Sequence, residues 1–158
     1  MSDARFTDAD PSPLVLRAED AQDLTVISTL VQDSVLAVTD ISYEVRPRRF
    51  ALLLNRFRWE DAELARRDAR VYERVRSVLL ISDVLRVQSD GIQRDDKDLV
   101  LELLALSWQP AKDGAGRLLL EFAGDGTLAL DVECLNVDLR DVTRPYAALS
   151  GKMPQHPA

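Results

Sequence analysis

Hydrophobic and polar residues change their period several times along this chain. PLVLRA (13–18) is a short apolar run that reads as a first strand. Asp20 follows where a helix N-cap is needed, with Asp23 three residues on as a weaker capping-box partner. Leu24, Ile27, Leu30, Val31 and Val35 then recur at helical spacing, with Asp20, Asp23, Gln32 and Asp33 on the other side. This predicts an amphipathic helix of about four turns. In LAVTDISYEV (36–45) the period drops to two, with Ile41, Tyr43 and Val45 alternating with Asp40, Ser42 and Glu44. RPRR (46–49) turns the chain, Pro47 presetting the turn, and FALLLNRFRW (50–59) returns as a second arm. Placing Val45 opposite Phe50, Tyr43 opposite Leu52 and Ile41 opposite Leu54 makes large apolar cross-strand pairs, and sets Thr39 opposite Arg56. Arg56 and Arg58 then share the face of Phe50, Leu52 and Leu54, leaving the core at the strand's end. Leu53, Phe57 and Trp59 lie on the other face.

The second half is richer in strand signals. EDAELARRDARVYER (60–74) is highly charged with widely spaced apolar residues, and reads as a surface connection, a helical turn or a loop. VRSVLLISDVLRVQS (75–89) is strand, interrupted at Ser82-Asp83 by a bulge or bend. DGIQRDDKD (90–98) is loop. LVLELLALSWQP (99–110) would suit a helix through Leu99, Leu103 and Leu106, but its length, neighbours and Pro110 favour a strand. RLLLEFAGDGTLALDVE (117–133) is a hairpin. A three-residue Gly124-Asp125-Gly126 loop pairs Phe122 with Leu128, Leu120 with Leu130 and Leu118 with Val132, and keeps the apolar set together. Beyond Glu133 the apolar phase shifts. Either a bulge lies near Cys134, or a C-terminal helix begins with Leu135, Leu139 and Val142 on one side.

These elements predict an α+β fold: six or seven mostly antiparallel strands in a bent sheet, small barrel or roll, with one amphipathic N-terminal helix. A pleckstrin-homology-like roll matches by strand count, which is analogy alone. A length of 158 residues suits one domain, placed over residues 13–149. The acidic start, residues 1–12, and the end, residues 150–158, are expected to be disordered tails.

Charge changes the functional picture more than composition does. The net charge is −7, yet residues 46–76 carry ten basic and five acidic side chains. An acidic chain with one basic segment disfavours a dedicated nucleic-acid binder but leaves room for a local anion site. Basic character is almost all arginine, with 17 Arg against Lys97, Lys112 and Lys152. Arg46, Arg48, Arg49, Arg56 and Arg58 could form a patch for an anion, an acidic partner or this protein's own acidic helix. Interleaved with Phe57 and Trp59, they also invite a single-stranded nucleic-acid reading, weakened because rings and cations fall on opposite faces.

Other chemistry is sparse. There is no phosphate-binding GxxxxGK[ST] loop and no GxGxxG after a strand. One Cys and one His cannot build a zinc site of the usual ligands. Cys134 sits in an apolar-alternating stretch and is expected to pack as a small buried hydrophobe, while His156 lies in the tail. Asp90, Asp95, Asp96 and Asp98 could offer oxygen ligands to a divalent cation, although the order is not that of an EF-hand and a solvated turn is the simpler account. Glu121, Asp131 and Glu133 read as the solvent face of the late hairpin. No catalytic residue, cofactor site or metal site is assigned. No run approaches the roughly 20 apolar residues that span a bilayer. The start lacks the apolar core of a secretory signal, and a single Cys suits a reducing cytoplasm.

Several runs together carry a resemblance: RRFALLLNRFRWE, VLLISDVLRVQSDGIQRDDKDLVLELLAL and LLLEFAGDGTLALDVECLNVDLRDV. Over roughly residues 14–144 they resemble a family of small bacterial, chiefly alphaproteobacterial, proteins catalogued as domain of unknown function number 2948. The resemblance implies a cytoplasmic bacterial protein and carries no activity, cofactor or site residue with it. From the residues themselves the leading expectation is a non-enzymatic binding or adaptor domain for a protein partner or a second copy. The alternative is a small enzyme or metabolite-binding protein using an arginine–carboxylate pocket, and the third is single-stranded nucleic-acid binding.

Overall fold

A computed structural model of the chain describes residues 13–148 and Pro154. The expectations for the tails and for His156 lie outside the described residues. The order is β1 (Val15–Ala18), α1 (Ala21–Val31), β2 (Ser34–Ala37), β3 (Ile41–Glu44), β4 (Arg49–Phe57), α2 (Trp59–Arg67), β5 (Glu73–Ile81), β6 (Val84–Asp90), β7 (Val100–Pro110), β8 (Gly116–Phe122), β9 (Thr127–Val132), β10 (Val137–Asp141) and β11 (Tyr146–Ala147). All strands join one antiparallel sheet in the order β1-β10-β5-β4-β2-β7-β8-β9-β6, with β3 added to β4 and β11 to β5. The fold is therefore α+β with a bent sheet, and the sheet does not close into a barrel. LVLELLALSWQP is indeed a strand.

The bend comes from one continuous run, residues 73–90. Its first half, β5, sits mid-sheet between β4 and β10; its second half, β6, pairs with β9 at the far edge. Between them Ser82-Asp83 is a corner, with Asp83 in the left-handed region at φ 57°. A chain that serves the middle and the edge of one sheet forces that sheet to curl back toward itself. The enclosed core includes Leu52, Leu79, Leu103, Leu120, Leu130 and Leu139.

Helix α1 lies across β1, β4 and β7. Asp20 caps it as expected, its Oδ1 accepting from the Asp23 amide at 2.8 Å. It buries Leu24, Ile27 and Val31, and ends after three turns rather than four. Asp33 takes φ 63° and donates its amide to the Leu103 carbonyl at 2.8 Å, so the chain reverses at once and Val35 belongs to β2. A bulge in β7 between Leu103 and Ala105 is met by α1, where the Ser28 hydroxyl accepts from the Leu106 amide at 2.9 Å.

Both hairpin registers differ from expectation by two residues. In β3–β4, Tyr43 faces Phe50 and Ile41 faces Leu52. The loop uses Val45–Arg48, with Arg48 at φ 68°, so Val45 is spent in the turn. In β8–β9, Leu120 faces Leu128 and Leu118 faces Leu130, because the loop starts at Ala123, whose amide donates to the Glu102 carbonyl of β7 at 2.9 Å. A two-residue shift keeps each side chain on its face, so the core is as the alternation predicts.

Two local expectations are overturned. The C-terminal helix does not form among the described residues: residues 133–136 bend and β10 follows, pairing with both β1 and β5. Cys134, in that bend, is exposed rather than buried, because the bend takes it out of the strand alternation.

Candidate functional site

The inner face of the sheet turns polar at one end. Along β4, β5 and β10 the register aligns Leu52, Leu79 and Leu139, then Leu54, Ser77 and Asp141, with Arg56 opposite Val75 in the next rank. The arginine thus points into the core, fully buried, instead of leaving it. It donates through Nε to Ser77 Oγ at 3.0 Å, through Nη2 to Asp141 Oδ1 at 3.0 Å, and through Nη1 and Nη2 to Glu60 Oε1 and Oε2 at 2.9 and 2.8 Å. Asp141 also accepts from Ser77 Oγ at 2.7 Å and from the Leu14 amide at 2.9 Å, which fastens β1 and β10 to the same cluster. Burial opposes ionisation of both Arg56 and Glu60. The hydrogen bonds and opposite charges between them outweigh it, raising the arginine's pKa and lowering that of Glu60.

Glu60 comes from α2, in the stretch expected to be a surface connection. The helix forms because Glu60 and Asp61 occupy its first turn and Arg66 and Arg67 its last, matching the helix dipole. Side chains hold it down. Arg58 donates to Glu73, Arg70 grips Asp61 with two bonds of 3.1 Å, and Trp59 Nε1 donates to the Gln32 carbonyl at 2.9 Å. Phe57 packs between Trp59 and Tyr72 at centroid distances of 4.7 and 5.6 Å.

The expected five-arginine patch is therefore split. Arg46 and Arg49 are exposed at the β3–β4 hairpin tip, where Arg48 pairs with Glu133 at 2.9 Å. Arg56 and Arg58 are enclosed at the other end of β4, seven residues and roughly 23 Å away along the strand. Asp90, Asp95, Asp96 and Asp98 are all exposed. Asp96 Oδ1 accepts from the Asp98 amide at 3.0 Å, and no metal-holding group of three acidic, His or Cys side chains gathers among the described residues. The aspartates make a turn.

A concave site lies elsewhere, where the curled sheet fails to close. Among the described residues, strand β3 pairs only with β4, and β6 only with β9. Near the hairpin tip these two edges are pinned together: the Val84 amide donates to the Arg48 carbonyl at 3.0 Å, and Tyr43 Oη donates to the Val84 carbonyl at 3.2 Å. Beyond the pin no described strand pairs with either edge, and between them opens a cleft of about 380 Å³. Val38, Ile41, Tyr43 and Phe50 form one wall; Val87, Ile92 and Leu128 form the other. Ser89 and Arg94 supply its polar edge. Gly91, at φ 72°, turns the chain out of β6, and Gly126 lets Ile92 approach so closely that a Cβ there would meet its Cγ1 at 2.9 Å. These two glycines set Ile92 into the wall and carry Arg94 to the rim.

Elements far apart in sequence build this site, so composition and spacing offered no signal for it. The buried cluster left a fainter one: in VDLRD, Asp141 falls on the inward phase of Val137 and Leu139, an irregularity that marks a paired interior charge.

Fold and cleft together define a class: an α+β domain whose bent antiparallel sheet stays open along one seam. The chain belongs to the family described as protein of unknown function (DUF2948), whose model matches residues 14–156. No curated protein and no solved structure matched the chain. No helix among the described residues is long and apolar enough to cross a membrane.

Proposed function

We propose that this chain is a binding domain that takes a small molecule into the seam cleft between β3 and β6. One observation carries the reading: among the described residues, the only polar side chains on an otherwise apolar concave lining are those of Tyr43, Ser89 and Arg94. Ligand sites are commonly such clefts of ~300–1,000 Å³, apolar with a few placed polar groups, and the mouth of a barrel-like sheet is a usual location. Against the expected arginine–carboxylate pocket stands the closure of that cluster, whose donors are already spent on Asp141, Glu60 and Ser77. The nucleic-acid reading loses its platform in the same way, since Arg56 and Phe57 are both fully buried.

Titration with Nile red, a neutral polarity-sensitive dye, tests the proposal. Saturable brightening that is lost in Val87→Phe, which fills the cleft from β6, is the expected result. Brightening that is unchanged in that variant would place the apolar site elsewhere.

A partner-binding reading rests on a different feature. The outermost strands β1 and β6 carry Val15 and the bulged Leu85, 60 % and 50 % exposed. Unpaired edges with apolar side chains invite strand addition. Light scattering after size exclusion would support it by showing a dimer that Leu85→Glu dissociates, and a monomer at all concentrations would count against self-association.

A further inference from the structure

Resting on the seam-cleft reading, we infer that the ligand is a small free carboxylate with an apolar body, its head held by Arg94 and Ser89. The cleft is chemically two-sided. Its chamber is mostly apolar on both walls, with Phe50 and Leu128 buried. Ser89, Ile92 and Arg94 also line a shallower recess that continues it outward, joined there by Gly91, Gln93 and Asp95. A molecule filling both must be apolar at one end and polar at the other.

Arg94 selects the charge of that polar end. It is, among the described residues, the one cation lining either part. Among the described residues it makes no ion pair, although aspartates neighbour it in sequence. Asp96 is engaged with the Asp98 amide instead. Arg48, at the pinned hairpin tip, is paired with Glu133, and Arg46 and Arg49 beside it line neither part. A guanidinium has five donors in a planar fork that matches a carboxylate's two oxygens, and Ser89 can add a hydroxyl. Tyr43 is already committed as donor to the Val84 carbonyl, so it pins the two edges together rather than binding the head. Asp95 lines only the outer recess, where it would turn away a second negative group and so favours a single carboxylate over a dianion. At about 380 Å³ the chamber has room for a short chain or a single ring, near the lower end of ligand-site sizes and too little for the paired tails of a membrane lipid.

Three probes with one tail and different heads test this: octanoate, 1-octanol and octylammonium, titrated calorimetrically into the full chain. Octanoate is expected to bind about tenfold tighter than 1-octanol, the gain of a charge-assisted hydrogen bond at a partly solvated site, and octylammonium weakest. Arg94→Gln should bring octanoate to the level of 1-octanol and leave 1-octanol unchanged, while Val87→Phe weakens all three. Equal binding of the three heads, or octylammonium strongest, overturns the carboxylate assignment even if Val87→Phe still weakens binding. Binding of none, or binding indifferent to Val87→Phe, overturns the cleft reading itself. Should Val87→Phe fail to fold, the head-group order in the unsubstituted protein still decides the ligand class.

Discussion

Two aspartates on β10 give an internally controlled test of the buried cluster. Asp141 faces inward with its side chain 5 % exposed, bonded to a fully buried Arg56. Asp138 faces outward and pairs with Arg17, itself 61 % exposed. Replacing each by Asn removes one charge and keeps the shape. At Asp138 the loss is that of a surface pair, at most about 1 kcal/mol. At Asp141 the change leaves a guanidinium in the core with Glu60 as its remaining carboxylate, and weakens the acceptor used by Ser77 and the Leu14 amide. Breaking a buried pair from one side costs ~3–5 kcal/mol, and because Glu60 remains, the lower end, about 3 kcal/mol, is expected. The partner change, Arg56→Met, removes the stranded cation. The double variant Arg56→Met/Asp141→Asn should therefore be less destabilised than the sum of the singles, by roughly 0.5–3 kcal/mol. Urea unfolding followed by circular dichroism measures all four, with an unchanged m-value as the check that only stability moved. If Asp141→Asn and Asp138→Asn cost the same to within about 0.5 kcal/mol, a difference within the usual scatter of surface substitutions, the cluster is not what holds β10 to β4 and β5.

Other consequences follow from single contacts. The pKa of Glu60 is lowered in the folded state, so the unfolded chain binds its proton first and stability is lost as pH falls below the ordinary glutamate range. Trp59 fluorescence should report α2 loosening on that acid limb, and Glu60→Gln should remove this part of the pH dependence. The exposed thiol of Cys134 donates to Asp83 Oδ2 at 3.3 Å, and this hydrogen bond, with the charge of the same carboxylate, raises its pKa. Its alkylation by iodoacetamide at neutral pH should be slower than that of a free cysteine, and faster in Asp83→Asn. Tyr43→Phe removes one pin between the edges at a cost of about 0.5–1.5 kcal/mol in thermal or urea unfolding.

Period and alternation were enough to read the strands between residues 75 and 132, the capped helix and the inward face of each hairpin, but not β10 or β11. A side chain's face depends only on its parity, which survives a two-residue error in register, as at Tyr43 and Leu120. What local pattern could not supply was the turn length, decided by left-handed residues such as Arg48 and Asp125. Helix α2 escaped because its apolar positions are sparse and its stability comes from ion pairs to Arg56 and Arg70, 60–74 having no hydrophobic period of its own. The arginine run of residues 46–58 looked like one patch because sequence neighbours were counted together. A nine-residue strand separates its ends. The cleft was invisible for a stronger reason: its walls come from residues 38–50 and 87–94 and from Leu128, and they meet only because the corner at Asp83 swings β6 beside β3.

The seam as ligand site is tested most directly by amide chemical shifts of the isotopically labelled protein during titration with octanoate. Saturable shifts confined to the residues lining the cleft, from Val38 to Phe50 on one wall and Val87 to Arg94 with Leu128 on the other, are expected, with the amides of Arg56, Glu60 and Asp141 unmoved. Shifts centred on the arginine–carboxylate cluster, or none anywhere, would contradict the account.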